Sequence, residues 1–232
     1  VITEANKIVS ATAPFTATTG VANALQANVA NVYKTPYTTT ESILSSPMVV
    51  GADIVGGQTA LGSYFHSVRE YKLNDAGIVA DAGWKTTDAR RTLITSATVA
   101  NVPSQLMSKF TSSPYSDYVP VIRYAEVLLS LGEALARSTN SVDARAISLL
   151  NAVRQRSDAT TTFTAANFAT PQALYDAFLK ERNIEFLGEG LRSPDLLRLG
   201  LDLPAKGTVS SVPSTDRRYI FPTSQSVLLY NS

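Results

Sequence analysis

The chain has no cysteine among its 232 residues and only one histidine, His66. Without cysteine there are no disulfide staples, no thiolate nucleophile and no Cys-type metal site. A single histidine excludes a His-rich metal centre and any mechanism that uses two imidazoles. Neither absence settles the compartment, because a core of this size needs no staple. No run approaches ~18 consecutive apolar residues, so no segment reads as a membrane-spanning helix. An excess of one charge is also missing: twenty Lys and Arg against nineteen Asp and Glu leave a net charge of +1. Nothing is then available to neutralise a phosphate backbone, and nucleic acid is not expected as a partner. No metal and no cofactor are expected. The sequence opens on Val1, without a signal-like leader, in an amphipathic pattern of Ile2, Ala5, Ile8 and Val9. It therefore reads as a piece of a longer protein.

What is present is a globular composition, 44% hydrophobic and 17% charged, long enough for one large domain or two small ones. Residues 1–35 read as a helical region, broken near Ala13-Pro14 and Thr18-Thr19-Gly20, with Val21, Leu25, Val29 and Val32 on one stripe. Residues 36–232 read as the main domain. Residues 35–40 are a connector, and residues 41–50 could form one short strand. From Gly51 to Pro120 glycines punctuate a loop-rich stretch in which residues 92–99 form the one convincing strand. Long irregular segments in compact proteins tend to be functional. Helices are expected over about 121–137, over 142–156 with Asn140 as N-cap, and from Thr170-Pro171 to near Gly188.

In the third of these helices Glu181 and Glu185 fall on the apolar face of Leu174, Ala177, Phe178 and Ile184. Two carboxylates there are costly unless paired, so cationic partners are required, and Arg123, Arg192 and Arg198 are the candidates. Their i,i+4 spacing puts the two Cβ atoms ~6 Å apart, which invites a retaining-glycosidase reading. That reading fails because neighbours on one helix face point the same way, whereas those enzymes approach the scissile bond from opposite sides. A buried ion-pair network remains, with Glu126 and Glu133 of the first helix read in the same way.

The string R-Y-A-E-V-L-L-S-L-G-E-A-L-A from Arg123 resembles a helix of the SusD/RagB family. L-L-N-A-V-R-Q-R from Leu149 is similar to that family's next helix, and L-K-E-R-N-I-E-F-L-G-E-G-L-R from Leu179 to its ERR-x-E-x-x-x-EG-x-R signature. Upstream, Glu41-Ser42-Ile43-Leu44 and Asp88-Ala89-Arg90-Arg91 match the weaker ESI and D-x-RR patterns. Residues 222–231 resemble the closing tail. Ser193-Pro194 depart from the aromatic pair usual before Asp195, and the chain is about half the family's length.

The resemblance implies a mainly α fold with TPR-like repeats, an irregular loop-rich lobe and a few short strands. It implies a non-catalytic surface lipoprotein of the outer membrane in Bacteroidetes-type bacteria. Such a protein binds glycans, or peptides in RagB-type branches, as a lid on a SusC-like TonB-dependent transporter, and meets the membrane only through an N-terminal lipid anchor absent from this chain. A helical scaffold for protein contacts is the further alternative.

Sugars stack their C–H faces on aromatic rings while polar side chains take the hydroxyls. Tyr64, His66, Arg69, Tyr71, Asn74 and Trp84 are the candidate ligand residues, with Phe65, Lys85 and Tyr115 nearby in sequence. Trp84, in Asp81-Ala82-Gly83-Trp84-Lys85, either presents its ring to solvent or caps the core beside Asp88-Ala89-Arg90-Arg91. Asp88 and Arg90 read as a structural pair, and His66 as a surface or hydrogen-bonding residue.

Overall fold

The computed structural model describes residues 1–53 and 60–220. The tail motif at 222–231, the apolar run at 227–230 and Gly56-Gly57 lie outside the described residues. The chain divides into two compact units, Val1–Glu189 and Gly190–Ser232.

The first unit is mainly helical. Its elements are α1 (Ile2–Ala5), β1 (Ser42–Ser46), β2 (Ile94–Val99), β3 (Val102–Met107), β4 (Val119–Arg123), α2 (Tyr124–Thr139), α3 (Ala144–Ser157) and α4 (Pro171–Glu185). Short 3-10 turns at Val29–Tyr33, Ile78–Ala80, Ala89–Leu93 and Ala165–Asn167, and a π-helical turn at Ser63–Ser67, punctuate the rest.

The packing of α2, α3 and α4 makes the principal core. Leu128, Leu129, Leu149, Leu150, Val153, Leu174 and Phe178 are completely buried. Gly132 lets α4 approach, since a Cβ there would lie 2.5 Å from Phe178 Cζ and 3.3 Å from Leu149 Cβ. The caps follow the side chains: Asp143 accepts from Ala146 N to open α3, and Thr170 accepts from Ala173 N to open α4 with Pro171 in the first turn. Asn140 is not the N-cap of α3. It ends α2 in the left-handed region, φ 46°, a conformation that Asn tolerates.

Two antiparallel pairs complete the unit. β1 pairs with β4, from Ser42 opposite Arg123 to Ser46 opposite Val119. β2 and β3 form a hairpin turned at Ala100 and Asn101, both with positive φ as a two-residue turn of this kind requires. Pro103 sits in β3 opposite Thr98, one pair beyond the pair flanking the turn. In that alternation its missing N–H faces away from β2, so the proline costs no ladder bond. A second core gathers Val29, Val32, Tyr33, Phe65, Leu93, Met107 and Phe110 between these strands and the irregular segments.

Two expectations are corrected. Residues 21–28 are not helical, and Val21 is exposed. Ala24 N donates to Thr40 O at 2.9 Å and Gln26 N to Glu41 Oε2 at 2.8 Å, so backbone donors a helix would use are committed to a distant segment. Residues 121–123 belong to β4, and the helix begins only at Tyr124. The β-branched Val121 and Ile122 favour the strand once β1 is beside them.

The second unit contains α5 (Arg192–Arg198) and two isolated bridges, Leu203 with Val212 and Lys206 with Val209. Tyr219 Oη donates to Leu196 O and Leu201 O, tying the end of the described chain back to α5.

Candidate functional site

Three glutamates recur every fourth residue through the end of α4 and the turn after it: Glu181, Glu185 and Glu189. Glu181 meets Arg90 Nη1 at 2.6 Å and Arg154 Nη2 at 2.5 Å. Glu185 takes Arg90 Nη1 at 2.9 Å on one oxygen, and Arg123 Nη1 at 2.6 Å together with Arg156 Nη2 on the other. Glu189 accepts from Arg123 Nε at 2.9 Å, Lys109 Nζ at 2.6 Å and the Tyr33 hydroxyl at 2.8 Å. Glu41, just before β1, receives Arg123 Nη1 at 2.7 Å and Arg156 Nη1 at 2.8 Å. Asp88 holds Arg90 through two bonds, Nε at 3.0 Å and Nη2 at 2.6 Å.

Five carboxylates and five cations thus share one network, and none of the ten side chains is more than 4% exposed. Equal numbers of opposite charge let the cluster be buried without net charge, the condition under which such a cluster is tolerable. Burial pushes the Glu185 carboxyl up, but Arg156, Arg123 and Arg90 outweigh it and hold the group well below the usual range. Burial likewise opposes ionisation of Glu189, and Arg123 and Lys109 overcome it. Arg123 and Arg90 are held in the charged form far into alkali by their carboxylates, against the cost of burial.

Each sequence motif supplies part of this cluster: Glu41, then Asp88 with Arg90, then Arg123, then Arg154 with Arg156, then the three glutamates. Arg123 closes β4, and the two α3 arginines reach different carboxylates. The partners of Glu181 and Glu185 therefore include Arg90, Arg154 and Arg156 beside Arg123. Arg192 and Arg198, the other two candidates, lie in α5 beside Asp195, to which Arg198 Nε donates at 2.9 Å. Glu126 stands outside the cluster and pairs with Arg182 at 3.6 Å, while Glu133 pairs with Arg137 at 2.8 Å. With Glu181 and Glu185 completely buried and clamped, neither carboxylate is placed to meet a substrate.

The candidate ligand residues separate into two groups. Tyr64 and Tyr71 stack in parallel, ring centres 4.7 Å apart at 12°, with Tyr71 48% exposed. Phe65 meets Tyr71 edge-on from the core side. His66, on the same π-helical turn as Tyr64, lies parallel to Tyr115 at 6.5 Å. Burial lowers the pKa of His66, against a hydrogen bond to the Met107 backbone and the charge of Asp117. Arg69 Nε donates to His66 O, and Asn74 Oδ1 accepts from Ala76 N, so both are partly committed within the loop.

Trp84 does not belong to this surface. It is 2% exposed, and the Arg91 guanidinium covers its ring at 3.9 Å while donating to the Trp84 carbonyl. The expectation of a solvent-presented indole is corrected in favour of the core-capping alternative. Among the described residues no group of His, Asp and Glu is arranged to hold a metal, and no helix is long and apolar enough to cross a membrane.

The architecture is that of a mainly helical protein locked by buried charge, with aromatic rings on its irregular face. The chain belongs to the SusD family, whose model matches residues 82–226. It is similar to a SusD superfamily protein from Bacteroides fragilis at 31% identity and TM-score 0.75, over 89% of this chain and 48% of that one. A SusD superfamily protein from Bacteroides thetaiotaomicron shares the fold at 21% identity and TM-score 0.69, over 91% of this chain and 52% of that one. So does surface glycan-binding protein A from Bacteroides thetaiotaomicron in complex with laminarihexaose, at 18% identity and TM-score 0.55, over 79% of this chain and 48% of that one. The chain spans about half the length of these relatives. No curated protein matches it.

Proposed function

We propose that the chain is part of a non-catalytic cell-surface protein that binds oligosaccharides and passes them to a SusC-like TonB-dependent transporter of the outer membrane. The observation that carries this reading is the Tyr64–Tyr71 pair, which offers a half-exposed, parallel-stacked aromatic surface on the irregular face. A pyranose presents an apolar C–H face that such a ring accommodates, and a stacked second ring keeps the first from turning away. The laminarihexaose complex of a fold relative lends support from a protein of the same architecture. Attachment to the membrane would come from a lipid anchor.

Titration calorimetry of the 232-residue chain against a panel of neutral oligosaccharides tests the proposal. Saturable binding that Tyr71→Ala weakens by about tenfold, the value of one good aromatic contact, is the expected result. Binding of extended peptides with no response to any sugar would transfer the reading to the peptide-binding branch.

A further inference from the structure

A cleft of about 510 Å3 opens on the β2–β3 hairpin, lined by Asp75, Ser96, Ala97, Thr98, Pro103, Ser104 and Gln105. Ser96 lies opposite Gln105 and Thr98 opposite Pro103 in the ladder, so these four side chains share one face of the hairpin. Apart from the proline ring, that face carries two hydroxyls and one primary amide. The Asp75 carboxylate lines the same cleft. Among the described residues, no side-chain hydrogen bond or ion pair engages Asp75, Ser96, Thr98 or Gln105.

The backbone ties this cleft to the tyrosine pair. Leu73 N donates to Gln105 O at 2.8 Å, which fixes the loop along the outer edge of β3. Tyr71 lies two residues before that anchor and Asp75 two residues after it. Four residue steps put the Cα atoms of Tyr71 and Asp75 at most about 14 Å apart, a distance that a short oligosaccharide can span.

The geometry points to this cleft as a specificity subsite continuous with the Tyr71 ring, reading the hydroxyls of a neutral oligosaccharide. The assignment rests on the glycan-binding reading above and adds a ligand class to it. Asp75 accepts from two vicinal hydroxyls, and the Gln105 amide both donates and accepts. Ser96 and Thr98 hydroxyls turn to suit either partner. The lining contains one carboxylate and no cation, so a uronic-acid chain meets like charge without compensation.

The test is calorimetry of the full chain with neutral hexasaccharides of glucose, xylose and mannose, and with an oligogalacturonate of the same length. The expected result is binding of at least one neutral hexasaccharide and none of the oligogalacturonate. Asp75→Ala and Gln105→Ala should each weaken that binding by about tenfold, with Asp75→Ala the larger effect because its bonds are charge-assisted. Ser96→Trp should block the cleft and weaken it as well. Circular dichroism of each variant confirms that the fold is retained. Two results overturn the subsite and leave the glycan-binding reading standing. One is a neutral sugar that responds to Tyr71→Ala but to none of the three cleft variants. The other is oligogalacturonate bound more tightly than any neutral sugar. If no sugar of either kind binds, both proposals fall.

Discussion

Arg123 and Glu185 meet at 2.6 Å, with side chains 2% and 0% exposed. Arg123 ends β4 and also reaches Glu41 and Glu189, so a single guanidinium joins the start of β1, the end of β4 and the end of α4. The charges tie the β1–β4 pair, itself joined by its ladder, to the end of α4.

Removing that guanidinium leaves buried carboxylates uncompensated. Arg123→Ala is expected to lower the unfolding free energy by about 3–5 kcal/mol, the usual consequence of breaking a buried pair on one side. Denaturant titration by circular dichroism measures it. A change under about 1 kcal/mol would mean that the cluster reorganises without it.

Acid should weaken the fold with a defined sign. Glu185 and Glu189 both have folded pKa values below their ordinary range, against burial, because Arg156, Arg123, Arg90 and Lys109 favour their charged forms. Their contribution is complete above the unfolded-state value of about 4.3 and is lost as pH falls through the lower folded values. The denaturation midpoint should therefore hold through the neutral range and fall steeply on acidification. Glu189→Gln should lower the neutral plateau and flatten the acid limb. A midpoint that rises on acidification would contradict the assignment.

Close approach of α2 and α4 depends on Gly132. An added methyl would press on the buried Phe178 ring at 2.5 Å. Gly132→Ala should destabilise by about 1–3 kcal/mol despite its better helix propensity, because overpacking outweighs the gain. Ser148→Ala, on the exposed side of α3, serves as the control and should stay within about 0.5 kcal/mol of the parent.

The buried indole and the exposed tyrosine predict opposite phenotypes. Trp84→Ala should cost about 3–5 kcal/mol in denaturant titration, as for other buried large-to-small changes. Tyr71→Ala, 48% exposed in the parent, should leave stability nearly unchanged and act on sugar binding instead. If Trp84→Ala left stability intact and abolished sugar binding, the assignment of the two aromatics would be reversed.

The helices α2, α3 and α4 were legible because their apolar residues recur at helical spacing and their ends carry strong signals, as at Thr170-Pro171. The need for cations around Glu181 and Glu185 was legible too, since a carboxylate on an apolar stripe demands a partner. Strand β3 escaped because Pro103 argues against a strand unless its place at the edge is known. Glu189 escaped because it lies past the helix end, where the apolar periodicity that singled out its two predecessors has stopped. A fourth-residue continuation of Glu181 and Glu185 was the available signal.

By itself, the sequence determined the family, the three core helices and the requirement that two buried glutamates be neutralised, because periodicity, caps and desolvation cost act over a few residues. Tertiary structure alone decided which arginines answer them and that the Trp84 ring is buried under Arg91. The choice of arginines depends on contacts between distant segments, such as Arg90 with Glu181 across 91 positions. Local pattern carries no record of which distant segment comes to lie alongside.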